Sequence, residues 1–407
     1  MSEGPGSWRF RVAAAIDDVG RQAWQQMETS SFYLSHDWLR AVEGMLCPEH
    51  PYLVVERRGE VLAVAACQLV RSADVYAFYS PQVLLLDPDR LAELQRWLSP
   101  DRARRLAELA GDVRPDGGRL LPALLATAPR GYRSGIGYHR SLTAGERDRA
   151  ARLVLDAFDE LAAGYGAGTG AFLYLPEGSE PHLERALLAR GYLPTVLGGE
   201  CSLDVPWPDF EGYLAHFRSG RRHTLRGDIQ RFSRAGCTVE MGGVELLGDE
   251  LAPLQAATQT RYGHHTDPAR TARWYARVRA ELPRYARVSV ARRGADVLGF
   301  GLFYEARGEL YARAAGFDYG RLDGERSYFS VVFYEPIRYA IAAGLGRIHY
   351  GIEGYEAKLE RGCELRPVRG WFRFRAGDTR RLAELLGLHA EAQLARRTAL
   401  RRTFGLS

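Results

Sequence analysis

Lysine is nearly missing from this chain. Of its 407 residues 55 are basic, and almost all of those are arginine. A lysine kept against that background marks a place where a compact point charge with a shiftable pKa is wanted. One stands at Lys358, in the stretch HYGIEGYEAKLERGCELRP over 349–367. Cysteine is scarce as well: Cys47, Cys67, Cys201, Cys237 and Cys363 are odd in number, far apart and never spaced as CxxC. That argues against a disulfide framework or a zinc site. No stretch approaches about 18 uninterrupted apolar residues, and the opening MSEGPGSWRF lacks a basic segment leading into an apolar one. A cytoplasmic protein without a membrane span is the expectation. No Walker loop, HExxH or GxSxG appears, so those routes to phosphate binding, zinc hydrolysis and serine chemistry are set aside.

The residues that are present describe a globular chain. Apolar residues make up 46%, charged 26% and aromatic 11%, and the length suits about two domains. The net charge of +5 is modest and does not repel an anionic partner. The chain also repeats itself. PYLVVERRGEVLAVAACQLV (51–70) and ARVSVARRGADVLGFGLFYE (286–305) each read as strand, RRG turn and strand, hence hairpins. Residues 159–194 and 338–367 each run from a helix ending in AAGxG through a strand, an EG turn, an LER segment and an RG followed by Pro. The same order twice predicts a duplicated unit of mixed sheet flanked by helices. The first copy is expected over 8–205 and the second over 206–376, joined at DVPWPD (204–209). Residues 87–112 read as an inserted amphipathic helical pair, and 377–407 as a helical tail with a basic end.

Three stretches then carry a resemblance. They are FRSGRRHTLRGDIQRFSRAGCTVE (217–240), YFSVVFYEPIRYAIAAGLGRIHYG (328–351) and EGYEAKLERG (353–362). The first resembles a basic helix, glycine turn and strand, the second an aromatic-rich helix with a Tyr-Glu pair, and the third a Gly-containing turn with Lys and Arg-Gly. Together they are similar to the Fem-type, FemAB-like family annotated for peptidoglycan biosynthesis or recognition, a branch of the GNAT acyltransferases in tandem. The resemblance implies an α/β (α+β) fold of two GNAT-like domains and an amide-forming acyltransferase. Its donor would be aminoacyl-tRNA and its acceptor an amine on a peptidoglycan precursor or small natural product, with no bound cofactor. Coenzyme A-dependent GNAT enzymes usually carry Q/RxxGxG/A, whose N–H groups hold the pyrophosphate. The equivalent ARAAGFDYGRLDGERSYF (312–329) lacks that pattern. An acyl-CoA N-acyltransferase with a divergent loop, and a non-catalytic binding module, remain the alternatives.

Attack of an amine on an activated acyl group needs positioning, an oxyanion stabiliser and a route for the amine proton. Lys358 is the expected stabiliser, with an ordinary surface-turn lysine as the competing reading. Tyr334, Glu335, His349 and Glu353 are the expected proton route, and Pro336 after Glu335 predicts a break in the helix. On the basic helix Arg221 falls on an apolar stripe with Leu214, Phe217, Leu225, Ile229 and Phe232, so it needs either an acidic neighbour or a phosphate-bearing ligand. The ligand is the expectation slightly favoured, with Arg222 and Arg226 on the flank as further substrate-binding candidates. Tyr311 and Arg313 alternate on one strand and are expected to share a lining face. Arg361 and His265 complete the substrate-binding set, His265 in a loop over the acceptor. Adjacent His264, His265 and Asp267 are weak as metal ligands, so no metal is expected. SHDW at 35–38 reads as a helix start.

Overall fold

The computed structural model describes residues 7–264, 266–322 and 327–404. The chain divides into two units: residues through Gly199 together with Arg366 onward, and Glu200–Leu365. These bounds differ from the copies expected over 8–205 and 206–376 and the tail over 377–407. In the structure the C-terminal segment returns to the first unit, because its strand and helix find their partners there.

The first unit is built on β1 (Trp8–Ala13), β2 (Met27–Glu28), β3 (Tyr52–Arg57), β4 (Glu60–Val70), β5 (Ala123–Ala126), β6 (Gly137–His139) and β7 (Thr169–Pro176). The order along the sheet is β1-β3-β4-β5-β7, with β6 against β2 and β4. The RRG hairpin is present: Arg57 pairs with Glu60 across a turn in which Arg58 and Gly59 take positive φ. β5 and β7 run parallel, and β7 pairs antiparallel with Val368–Phe374. The helix Ala144–Gly164, opened by a Thr143–Glu146 capping box, lays Val154, Leu155 and Phe158 into a core with Leu53, Leu124 and Phe172. Ser35 caps the helix His36–Val42 by accepting from the Trp38 amide, as the SHDW start requires. The insertion forms the helices Pro88–Gln95 and Pro100–Val113, and the C-terminal helix Thr379–Thr403 lies against them through Arg105–Glu384 and Arg102–Glu391 ion pairs.

The second unit contains the end of β8 (Leu193–Asp204) and β9 (Cys237–Gly242), β10 (Ala286–Arg293), β11 (Asp296–Ala306), β12 (Glu309–Phe317) and β13 (Arg347–Gly351); β14 (Glu364–Phe374) follows, and from Arg366 it belongs to the first unit. The order is β8-β13-β12-β11-β10-β9, with β12 and β13 parallel and the other pairings antiparallel. The duplication shows in detail. Gly166 and Gly344 follow the helices Ala144–Gly164 and Glu335–Ala342, and Gly191 and Gly362 precede β8 and β14, all with positive φ. All five cysteines are buried and free. Among the described residues no helix is long and apolar enough to cross a membrane.

In the first unit Glu180 is a buried carboxyl whose Oε1 lies 2.4 Å from where a Cβ on Gly135 would stand. Burial pushes it up to about 7, although hydrogen bonds from Ser30 and the Ile136 main chain and the charge of Arg133 work the other way. Its folded pKa exceeds the ordinary 4.5, so the stability it contributes is complete below that value and lost as pH rises through about 7. The loss amounts to about 3 kcal/mol. Glu180→Gln is therefore expected to raise the melting temperature at pH 8 and flatten its fall between pH 5 and 8. An unchanged slope in the variant would contradict this.

Candidate functional site

Lys358 is the only lysine in the sequence, and it is not on the surface. It belongs to the short helix Tyr355–Leu359, entered from β13 through a turn in which Gly351, Glu353 and Gly354 all have positive φ. A left-handed Glu353 is strained and must be held in place. The Lys358 Nζ does so from inside, donating to the carbonyls of Gly351 (3.1 Å) and Ile352 (3.0 Å). Burial lowers its pKa below the ordinary 10.5, while Cys201, Cys363, Glu353 and Glu200 work to raise it. A planar guanidinium that never sheds its proton would not replace this ammonium. The lysine thus clamps the turn after β13 rather than reaching outward on a mobile stem.

Arg361 and Tyr334 likewise bond inward. Arg361 is 2% exposed. Its Nη2 donates to Asp228 Oδ2 at 3.2 Å, its Nη1 to the Ala357 carbonyl at 2.9 Å, and its guanidinium lies 3.3 Å from the Phe329 ring centre. Tyr334 donates to the same Asp228 oxygen at 3.0 Å. Burial, with the Asp228 carboxylate adding to it, holds that phenol far above its ordinary value. The break expected at Pro336 takes the form of a π turn, Ser330–Tyr334, leading into the helix Glu335–Ala342. Glu335 is half-buried, and burial raises its carboxyl, partly offset by Arg338.

Arg221 has the acidic neighbour that was one of its two readings: its Nη1 lies 3.3 Å from Glu360 Oε1, both side chains being 35% exposed. Arg226 pairs with Glu211 at 2.6 Å on the surface. Arg222 is half-buried on the same helix, Ser219–Arg234. His265 lies outside the described residues. Asp267 caps the helix Pro268–Glu281, accepting from the Ala269 amide at 2.9 Å.

The other face of this sheet carries a cluster only half foreseen. His349 stacks on Tyr311, ring centres 4.5 Å apart and 7° from parallel. Its Nε2 is 3.1 Å from Glu309 Oε2 and its Nδ1 3.6 Å from Glu200 Oε1, while Tyr311 donates to Glu309 at 2.6 Å. Burial works to raise the Glu309 carboxyl, but the His349 and Tyr311 hydrogen bonds outweigh it and hold it down to about 2. Ser289 bonds Val331 of the π turn and pairs with Gly301. Phe300, one residue on, faces Tyr275 on the opposite side, and Tyr304, in phase with Phe300, pairs with Tyr311. Tyr334 and Glu335 therefore stand on one side of the sheet and Tyr311 and His349 on the other, so they do not form a single proton route.

Backbone geometry adds an opening. β12 and β13 share three registers, Glu309–Arg347 to Tyr311–His349. Immediately beyond, both are irregular: Arg313 is the extra residue of a bulge against β11, and Tyr350 against β8. The bulge breaks the simple alternation expected of Tyr311 and Arg313. Tyr311–His349 is the last register the two strands share among the described residues, and an extended ligand fits where they part.

The sequence profile of the FemAB-like family, described as peptidoglycan biosynthesis/recognition, matches residues 109–398. The chain belongs to that family. Among solved structures, FemX is similar with a TM-score of 0.55 and 11% identity over 89% of this chain and 96% of its own, a likeness of fold. A tandem GNAT protein from the clavulanic acid biosynthesis pathway gives 0.48 and 13% over 91% of this chain and 100% of its own. The C-terminal domain of a lysylphosphatidylglycerol synthetase from Agrobacterium fabrum gives 0.45 and 15% over 70% and 96%. No curated protein matches the chain. This FemAB-like chain accordingly shares the fold of FemX, and its mixed sheets flanked by helices are those expected from its repeats.

A single lysine makes its titration directly readable. With 13C-labelled lysine, one side-chain signal should titrate with a midpoint below 10.5 in the folded protein and move back up in denaturant. A folded midpoint at the ordinary value would contradict the clamp. Because the charged form is disfavoured in the fold, the contribution of Lys358 to stability grows as pH rises from its folded pKa towards 10.5.

Proposed function

We propose that this protein is an amide-forming acyltransferase that passes an aminoacyl group from aminoacyl-tRNA to an amine on a peptidoglycan precursor or a small natural product. The observation that carries the reading is the parting of β12 and β13 after three shared registers, with its stacked Tyr311–His349 pair at the point of divergence. An extended acyl donor fits where β12 and β13 part, and main-chain N–H groups near the parting are suited to the developing oxyanion. The acceptor arrives on the Tyr311 face, where Glu200 and Glu309 attract an ammonium and His349 between them is the group through which its proton leaves. The amine nitrogen then bonds to the ester carbonyl carbon, the bond to the ribose oxygen breaks, and the proton lost by the amine ends on that oxygen. Holding both substrates in line supplies up to about 7–11 kcal/mol of the barrier. Lys358 contributes by fixing the turn after β13, as a positioning residue. The sequence pattern at 312–329, which lacks the pyrophosphate-loop glycines, favours tRNA over coenzyme A as carrier.

Purified protein offered charged tRNAs or acyl-CoAs, with small amines and cell-wall precursors, should give amide product only from charged tRNA. RNase treatment should abolish it. Product from acyl-CoA alone would overturn the tRNA reading, and product from neither would overturn transfer to these acceptors.

A further inference from the structure

Past the carboxyl end of β12 the surface turns aromatic. Among the described residues six large hydrophobic side chains are exposed, and two of them, Tyr262 (70%) and Tyr328 (37%), stand here. Phe317, the last residue of β12, has its ring centre 5.5 Å from that of Tyr328 and 6.4 Å from that of Tyr319. The guanidinium of Arg261 lies 4.6 Å from the Tyr319 ring centre, and Tyr262 follows Arg261 directly. The fold places these groups together deliberately. The Phe317 amide donates to Thr258 Oγ1 at 3.0 Å, and Gly316 lets the helix Ala252–Arg261 approach so closely that a Cβ there would lie 2.5 Å from the Gln255 nitrogen. The end of that helix, carrying Arg261 and followed by Tyr262, is thereby fixed beside the end of β12. Phe232 of the basic helix belongs to the same core as Phe317, and its neighbours Arg231 and Arg234 are exposed with no acidic partner among the described residues.

Flat rings left in water beside arginines stack nucleobases, and ligands of parallel strands bind beyond their carboxyl ends. We propose that Tyr262, Tyr319, Tyr328 and Arg261 form a stacking platform for the terminal adenosine of the acyl donor, with Arg231 and Arg234 serving its phosphates. This rests on the acyl-transfer reading above. Adenosine is common to the 3′ end of tRNA and to coenzyme A, so the experiment carries both.

Binding of a labelled RNA ending in CCA, of the same RNA lacking the terminal adenosine, and of coenzyme A should be measured with the full chain. The variants are Tyr262→Ala, Tyr328→Ala and Tyr262→Trp. The expected result is about tenfold weaker binding of the CCA-ended RNA to either alanine variant, retention in Tyr262→Trp, and equally weak binding of the shortened RNA to the unaltered protein. Equal binding of both RNAs, with coenzyme A indifferent to the variants, would overturn the platform. Dependence seen with coenzyme A alone would keep the platform and overturn the tRNA donor. Transfer from charged tRNA at undiminished rate and affinity in the alanine variants would overturn the platform and leave acyl transfer standing.

Discussion

The second unit depends on one buried ion pair, Arg361 with Asp228. Taking both charges from water is costly, and close geometry with additional hydrogen bonds is needed to offset it. Here Asp228 accepts from Arg361 and Tyr334, the guanidinium also bonds the Ala357 carbonyl, and Phe329 covers it. Three segments far apart in sequence meet at this point: the basic helix, the π turn and the charged turn before β14. The Tyr213 hydroxyl, donating to the Arg361 carbonyl, adds a fourth. Remove the pair and each of these loses the contact that sets its angle to the sheet.

With that frame in place, work divides between the two sides of the sheet. On the side of the π turn, charged and phenolic groups are buried and bonded to one another. On the other side, Tyr311, His349, Glu200 and Glu309 stand next to the opening between β12 and β13, and Glu309 retains 31% side-chain exposure. Lys358 links the two by holding the turn directly after the diverging strand. Its ammonium is satisfied by carbonyls, and its lowered pKa follows from burial.

Much of this was legible in the sequence where the signal is local. The RRG hairpins, the paired glycines, the Ser35 cap, the inserted helical pair and the helix break before Pro336 each follow from a few neighbouring residues. What was not legible is long-range. Asp228 and Arg361 are 133 positions apart, and nothing in either segment marks the other. The C-terminal strand pairs in the first unit because of β7, not because of anything in its own pattern. Glu200 and Glu309 reach His349 from two other strands, so of this cluster only Tyr311 and His349 are legible in the sequence. The assignment of Tyr334 and His349 to one proton route failed because sheet faces are fixed by register across several strands, which a single segment does not encode.

The central claim is that the buried Arg361–Asp228 pair is the frame of the second unit. The most direct test is a double-mutant cycle in urea with Asp228→Leu, Arg361→Leu and the pair. The account predicts that each single change costs about 3–5 kcal/mol, since it strands the other charge in the interior, and that the double change costs far less than their sum. Small, additive losses would contradict it.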